Sequence, residues 1–276
     1  MYVRAKKSLG QHFLTDRKVA YDIVDALPGG RGSSPAGGAG APVLEIGPGT
    51  GVLTGYLLER KDIDLKMVEL DGESVSYLLQ NFPGMQGRLY QADFLKIPLE
   101  TLFKGDFQVI GNFPYNISSQ IFFKLLDYRD KVPAIVCMLQ KEVAQRIAEG
   151  PGSKTYGILS VFLQAWYDIE YLFGVPPGAF APPPKVQSAV ICLKRNGRTS
   201  LGCDEKLFRQ IVKASFGLRR KTLRNSLKPV ALQLFAGDDA PQKASDFLSP
   251  GTFDLRPEKL SVEDFIELTL YFEKLF

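Results

Sequence analysis

Val43-Leu44-Glu45-Ile46-Gly47-Pro48-Gly49-Thr50-Gly51-Val52 is the stretch on which the fold turns. Its first four residues read as a short buried strand. Three alternate glycines then turn the chain into a helical pattern over 52–59. Glycines at such a turn allow a sharp reversal and let a ligand approach the backbone closely. The same alternation continues outward. Strands are expected at 65–70, 88–90, 107–110 and 134–139, with helices at 73–80, 118–126 and 141–148. Strands alternating with helices imply an α/β fold with a parallel sheet covered on both faces. Ligands in such sheets bind at the carboxyl ends of the strands, near the point where strand order reverses.

The pattern changes after residue 150. Residues 157–166 look helical. Residues 167–175 and 188–194 look like strands joined by a Pro-rich turn. Neighbouring parallel strands need a long crossover, so this pair is expected to form an antiparallel hairpin at the sheet edge. From Asp204 onward the strand signal fades, and Leu207, Ile211, Val212 and Phe216 recur at helical spacing. The reading is a first domain over 1–197 and a small all-α domain over 198–276. The Gly-, Ser- and Ala-rich run at 28–42 lacks the Lys-Ser/Thr ending of a phosphate loop and follows a helix, so it reads as a flexible surface connection.

Bulk properties narrow the class. Of 276 residues, 45% are hydrophobic and 23% charged, the balance of a globular protein. No apolar run approaches the ~18 residues that span a bilayer, so no membrane partner is expected. The basic N-terminal residues have no apolar segment behind them, unlike a secretory signal. Cys137, Cys192 and Cys203 lack metal-ligand spacing and read as buried free thiols. A cytoplasmic protein without a metal follows as the expectation. Nothing suggests an obligate oligomer, so a monomer is expected. His12 is the single histidine, which speaks against hydrolase triads and histidine metal sites. Residues 185–228 hold twelve Lys or Arg against two acids. That net +10 leaves −6 for the rest of a chain of net charge +4. Such a block suits a polyanionic partner, although a solvated helix face would look the same.

The acids carry more information. Glu69 ends the second strand, where its carboxylate can accept hydrogen bonds from ribose hydroxyls. Asp93 follows the third strand and can accept from an adenine amino group, while Leu70 or Phe94 packs on the adenine faces. With Gly47 and Gly49 in the first turn, these features in order read as an adenosine pocket. Val52 stands where a dinucleotide fingerprint would have its third glycine. An adenosine cofactor without phosphates, such as S-adenosylmethionine, fits better than NAD.

Asn112-Phe113-Pro114-Tyr115 follows the fourth strand. The exocyclic nitrogen of adenine is a poor nucleophile because its lone pair is delocalised into the ring. The side-chain oxygen of Asn112 and the backbone carbonyl of Phe113 can both accept its hydrogens and favour a pyramidal amine. Pro114 stiffens the turn, and Tyr115 can stack on the base. A base inside a duplex must be flipped out to react. Phe180, on the Pro-rich turn, is expected to form the second wall of an aromatic clamp.

These pieces carry a resemblance. Lys7-Ser8-Leu9-Gly10-Gln11-His12-Phe13-Leu14, the runs at 45–51, 68–71, 112–116 and 180–188, and Leu218-Arg219-Arg220-Lys221-Thr222-Leu223-Arg224-Asn225 resemble the KsgA-type ribosomal RNA adenine dimethyltransferases over nearly the whole chain. The resemblance implies a Rossmann-like class I methyltransferase domain with a small helical domain. It implies S-adenosylmethionine-dependent dimethylation of two adjacent adenosines near the 3′ end of small-subunit rRNA. Cofactor contacts are implied at His12, Leu14, Gly47, Glu69, Asp93 and Asn112, with Phe180 facing the target base. The family's arm often has Asn where this chain has His12, and Leu is common where it has Phe113. Arg219, Arg220, Lys221 and Arg224, with Lys6 and Lys7 from the arm, are then expected to grip RNA phosphates. Two rival readings share these residues. One is an adenine methyltransferase acting on large-subunit rRNA or DNA. The other is an RNA-binding assembly or transcription factor with a vestigial pocket.

Overall fold

A computed structural model describes residues 3–29, 40–235 and 237–275. Residues 30–39, most of the Gly-rich connection, lie outside the described residues. The chain divides into two compact units, one of residues 1–144 and 168–195, the other of residues 145–167 and 196–276.

The first unit contains β1 (Phe13–Leu14), α1 (Arg17–Asp25), β2 (Ala41–Ile46), α2 (Val52–Glu59), β3 (Ile63–Glu69), α3 (Gly72–Asn81) and β4 (Leu89–Gln91). It continues with β5 (Gln108–Asn112), α4 (Ser118–Asp127), β6 (Ala134–Gln140), most of β7 (Tyr167–Val175), β8 (Phe180–Ala181) and β9 (Ser188–Arg195). The main sheet has the order β4-β3-β2-β5-β6-β9-β7. The pairs β2–β3, β3–β4, β2–β5 and β5–β6 are parallel, and β9 runs antiparallel to β6. The two strands expected at the edge are thus there, with β9 inside and β7 outermost.

Central strands read as unbroken apolar runs because both their faces are buried. Val43 and Leu44, Val109 and Ile110, and residues 135–139 are fully buried. Cys137 and Cys192 are among the buried residues and are free thiols, as expected, whereas Cys203 is only partly buried. One buried ion pair fixes the start of β3. Arg60 bonds Asp62 at 3.0 and 2.5 Å, and its third nitrogen donates to the carbonyls of Val24 and Leu27 at the end of α1.

The chain runs from β2 outward to β3 and β4, then returns to the other side of β2 with β5. Strand order therefore reverses between β2 and β5. Gly111 permits the two strands to approach there, since a Cβ on it would lie 2.5 Å from the Ile46 carbonyl oxygen.

The second unit contains the end of α5 (Lys141–Ala148), then α6 (Ile158–Gln164), α7 (Glu205–Gly217), α8 (Leu223–Leu234), α9 (Ala240–Phe247) and α10 (Val262–Glu273). It is helical, as read, but it is not the segment 198–276 alone. Residues 145–167 join it because their apolar side chains belong to its core. Tyr156 meets Phe216 edge-on at 6.2 Å, and Phe162 lies 6.2 Å from Phe208. The boundary expected at 197/198 falls at 195/196. No helix among the described residues is long and apolar enough to cross a membrane.

Candidate active site

A cavity of about 280 Å³ opens at the carboxyl ends of β2, β3, β4 and β5. It lies at the reversal of strand order, where this sheet class places its ligands. Gly47, Pro48, Gly49 and Thr50 form its floor between β2 and α2. Gly49 has φ 58°, and a Cβ there would lie 3.0 Å from the Phe13 ring, so both backbone conformation and space require glycine.

Glu69, the last residue of β3, is 5% exposed. Its Oε2 accepts the Gly49 N–H at 3.0 Å and its Oε1 accepts the Asp71 N–H at 2.9 Å. Each oxygen keeps one lone pair free, which suits a pair of hydroxyls. Burial raises the Glu69 carboxyl above the ordinary range, against the pull of the Asp71, Gly49 and Leu70 backbone N–H groups. Asp93 lies on the cavity wall, where its Oδ1 accepts the Leu95 N–H at 2.9 Å. Leu70 is half exposed and Phe94 buried, and both line the cavity. The Lys124 ammonium sits 5.0 Å over the Phe94 ring.

Asn112 is the last residue of β5. Its Nδ2 donates to the His12 carbonyl at 3.0 Å. That bond fixes which way round the amide sits and leaves Oδ1 as an unengaged acceptor. Phe113 is fully buried, its N–H donates to the Met138 carbonyl at 2.9 Å, and its ring meets Phe122 edge-on. The tetrad is therefore anchored by its second side chain. The Tyr115 hydroxyl bonds Ser188 Oγ, and its ring stacks on His12 with centroids 5.5 Å apart. Burial raises the Tyr115 phenol.

The N-terminal arm forms one wall, with residues 8–14 all lining the cavity, Leu14 among them. Most of this wall is absent from the sequence reading, which has only His12 and Leu14 there. The signal was Gly10: it has φ 64°, and a Cβ on it would lie 2.5 Å from Asn116 Oδ1. Glu45 is also absent from that reading as a site group. It is 1% exposed, accepts the Thr54 hydroxyl at 2.8 Å with Oε2, and has no partner for Oε1. Burial pushes its carboxyl up to about 8.

Three expectations need correction. Phe180 does not reach the cavity. It is 4% exposed, because β8 pairs with β1 and aligns Phe180 with Leu14 in the apolar core. Lys6 is not a free cation. Its ammonium bonds Asp71 at 2.5 Å and Glu73 at 3.1 Å, closing the arm onto the start of α3. That contact and the Ser74 hydroxyl outweigh burial and hold the Asp71 carboxyl below its ordinary range. Arg224 is paired with Asp254 at 2.7 Å and also donates to the Ser249 carbonyl. The side chain of Lys7 lies outside the described residues. Arg219 donates to the Lys154 carbonyl, while Arg220 and Lys221 are exposed. No group of His, Cys, Asp or Glu among the described residues is placed to hold a metal ion.

The strand order and the glycine turn define a class I methyltransferase fold. A solved dimethyladenosine transferase from Plasmodium falciparum shares it, with a TM-score of 0.77 at 24% identity over 96% of this chain and 98% of that one. The 23S rRNA methyltransferase ErmE shares it at 0.62 and 23% identity, over 93% and 99%. The family model for ribosomal RNA adenine dimethylase matches residues 2–239, and the chain belongs to that family. Relatives named ribosomal RNA small subunit methyltransferase A include proteins of Parabacteroides distasonis and Porphyromonas gingivalis. The first is 59% identical over 99% of this chain and 95% of its own length. The second is 52% identical over 99% and 100%.

Proposed function

We propose that the protein transfers methyl groups from S-adenosylmethionine to the N6 amines of two adjacent adenosines near the 3′ end of small-subunit rRNA during ribosome assembly. The observation that carries this reading is the tethered Asn112 amide. With Nδ2 engaged by His12, Oδ1 is preorganised to accept an amine N–H at the carboxyl end of β5. The names of the relatives support the substrate class.

The donor set suits the cofactor. Glu69 offers one lone pair on each oxygen to the ribose hydroxyls, and Asp93 an acceptor to the adenine amine. Leu70 and Phe94 cover the base, Gly47 and Gly49 admit the cofactor against bare backbone, and His12 and Leu14 approach it from the arm. The bound sulfonium supplies an already activated methyl group. What remains for the chain is positioning and electrostatics. Asn112 Oδ1 and the Phe113 carbonyl take the amine hydrogens and turn its lone pair toward the methyl. Pro114 holds the turn, and Tyr115 stacks on the flipped base. Arg220 and Lys221 meet RNA phosphates, while Arg219 and Arg224 brace the loop that carries them. The protein acts in the cytoplasm as a monomer in this reading.

The test is transfer of labelled methyl to unmethylated small subunits, large subunits and DNA. Label in dimethyladenosine of the small subunit alone is expected. Label on large subunits or DNA instead reassigns the substrate, and no label anywhere overturns the enzyme.

A further inference from the structure

We infer that His12 is a positioning residue for the target adenine: its imidazole backs Tyr115 and fixes the face on which the base stacks. This rests on the adenine-methylation reading above. Three contacts hold His12. Nδ1 lies 2.9 Å from the Pro182 carbonyl oxygen, which assigns the proton to Nδ1. The backbone carbonyl accepts from Asn112. The ring lies against Tyr115, 5.5 Å between centroids and 26° between planes. The Tyr115 hydroxyl is bonded by Ser188 Oγ at the start of β9. A ring pinned at its tip still turns about its long axis, and a second ring against one face removes that freedom.

The spacing says which face the base takes. A base between two rings needs about twice the ~3.5 Å contact distance of stacked carbon atoms, more than the 5.5 Å present. The base therefore lies on the opposite face of Tyr115, with His12 as the wall behind. Phe180, buried in the core, does not compete for that place.

The two tethers of His12 separate by chemistry. Asn112 is held by a backbone carbonyl, which survives any substitution at position 12. Tyr115 is backed by the side chain, which does not. An aromatic pair accounts for about a two- to tenfold effect. The experiment compares wild type, His12→Ala, His12→Phe and His12→Asn. Single-turnover methyl transfer is measured at saturating unmethylated small subunits, and cofactor Kd by calorimetry on the free proteins. His12→Ala is expected to slow transfer about two- to tenfold. His12→Phe restores it to within about twofold, since it keeps a ring. His12→Asn does not, although it keeps a donor for Pro182. Transfer is read at saturating cofactor, so a change in the arm's own contact with the cofactor registers in Kd and leaves the ordering of the Phe and Asn rates intact. Rescue by Asn but not Phe overturns the inference, as does a loss of rate that follows cofactor Kd from variant to variant, or wild-type transfer by His12→Ala. Because Phe and Asn are compared directly, the test stands even where His12→Ala folds poorly. Absence of transfer by wild type overturns the function and this inference together. A reversed pattern in an active wild type overturns the inference alone.

Discussion

Glu45 offers a sharp test of the site's electrostatics. It is fully buried, Oε2 takes the Thr54 hydroxyl, and Oε1 has no partner. Burial raises its carboxyl from 4.5 to about 8, with the neighbouring Glu69 adding to the rise. The native protein then holds a proton that the unfolded chain releases between pH 4.5 and about 8. With more protons bound in the native state, stability falls as pH rises through that window and levels off above it. Each pH unit inside the window is worth up to about 1.4 kcal/mol. From pH 5.5 to 8 this amounts to roughly 3 kcal/mol. Glu45→Gln keeps an acceptor for Thr54 and has no proton to lose. Groups shared by both proteins, Glu69 included, largely cancel in the difference between them. Urea unfolding followed by circular dichroism at pH 5.5, 7 and 8.5 should therefore show the variant gaining on wild type by roughly 3 kcal/mol across the range. Parallel pH profiles for the two proteins would refute the assignment, because Glu45 would then be ionised at every pH tested.

Three further outcomes follow from named contacts. Asn112→Ala should abolish methyl transfer while cofactor Kd, measured by calorimetry, stays within about tenfold of wild type; unchanged turnover would remove Asn112 from the chemistry. Arg60→Ala should cost about 3–5 kcal/mol in urea unfolding, since it strands the buried Asp62 carboxylate and frees the Val24 and Leu27 carbonyls; a cost below about 1 kcal/mol would mean that Asp62 is solvated without its partner. Reversing Arg220 and Lys221 to Glu should weaken binding to small subunits and lower the slope of log K against log salt by about 2 or more; an unaltered slope rules these two out as phosphate ligands.

Much of this architecture is legible in the sequence because burial on two faces writes itself as composition. Residues 135–139 are all fully buried, so β6 shows as an unbroken apolar run. The glycine turn shows because left-handed backbone at 47, 49 and 51 admits little else. The ribbon of β1 and β8 does not show, since two residues per strand carry no period to read. Residues 145–167 illustrate a different limit. Their helix is visible, but whether Tyr156 and Phe162 pack on the sheet or on the helix that carries Phe208 and Phe216 depends on contacts between distant segments.

Within the site, residues at strand ends are legible and residues that hold them are not. Glu69, Asp93 and Asn112 stand out because strand, turn and polar residue fall in order. Phe180 illustrates the converse error. An aromatic on a Pro-rich turn invites a role in stacking, yet the pairing of Phe13 with Ala181 and Leu14 with Phe180 turns that ring into the core. The same ribbon carries the arm along the cavity wall, with His12 against Pro182 and Tyr115. One piece of local pairing thus withdraws one ring from the cavity and sets another behind the tyrosine. Asn112, Tyr115 and the cavity wall are then all braced by the arm, which Lys6 fastens to Asp71 and Glu73 at its far end. The geometry of the amine acceptor therefore depends on a segment whose sequence reading marks His12 and Leu14 as cofactor contacts and Lys6 and Lys7 as cations for RNA, but not the tether to Asn112.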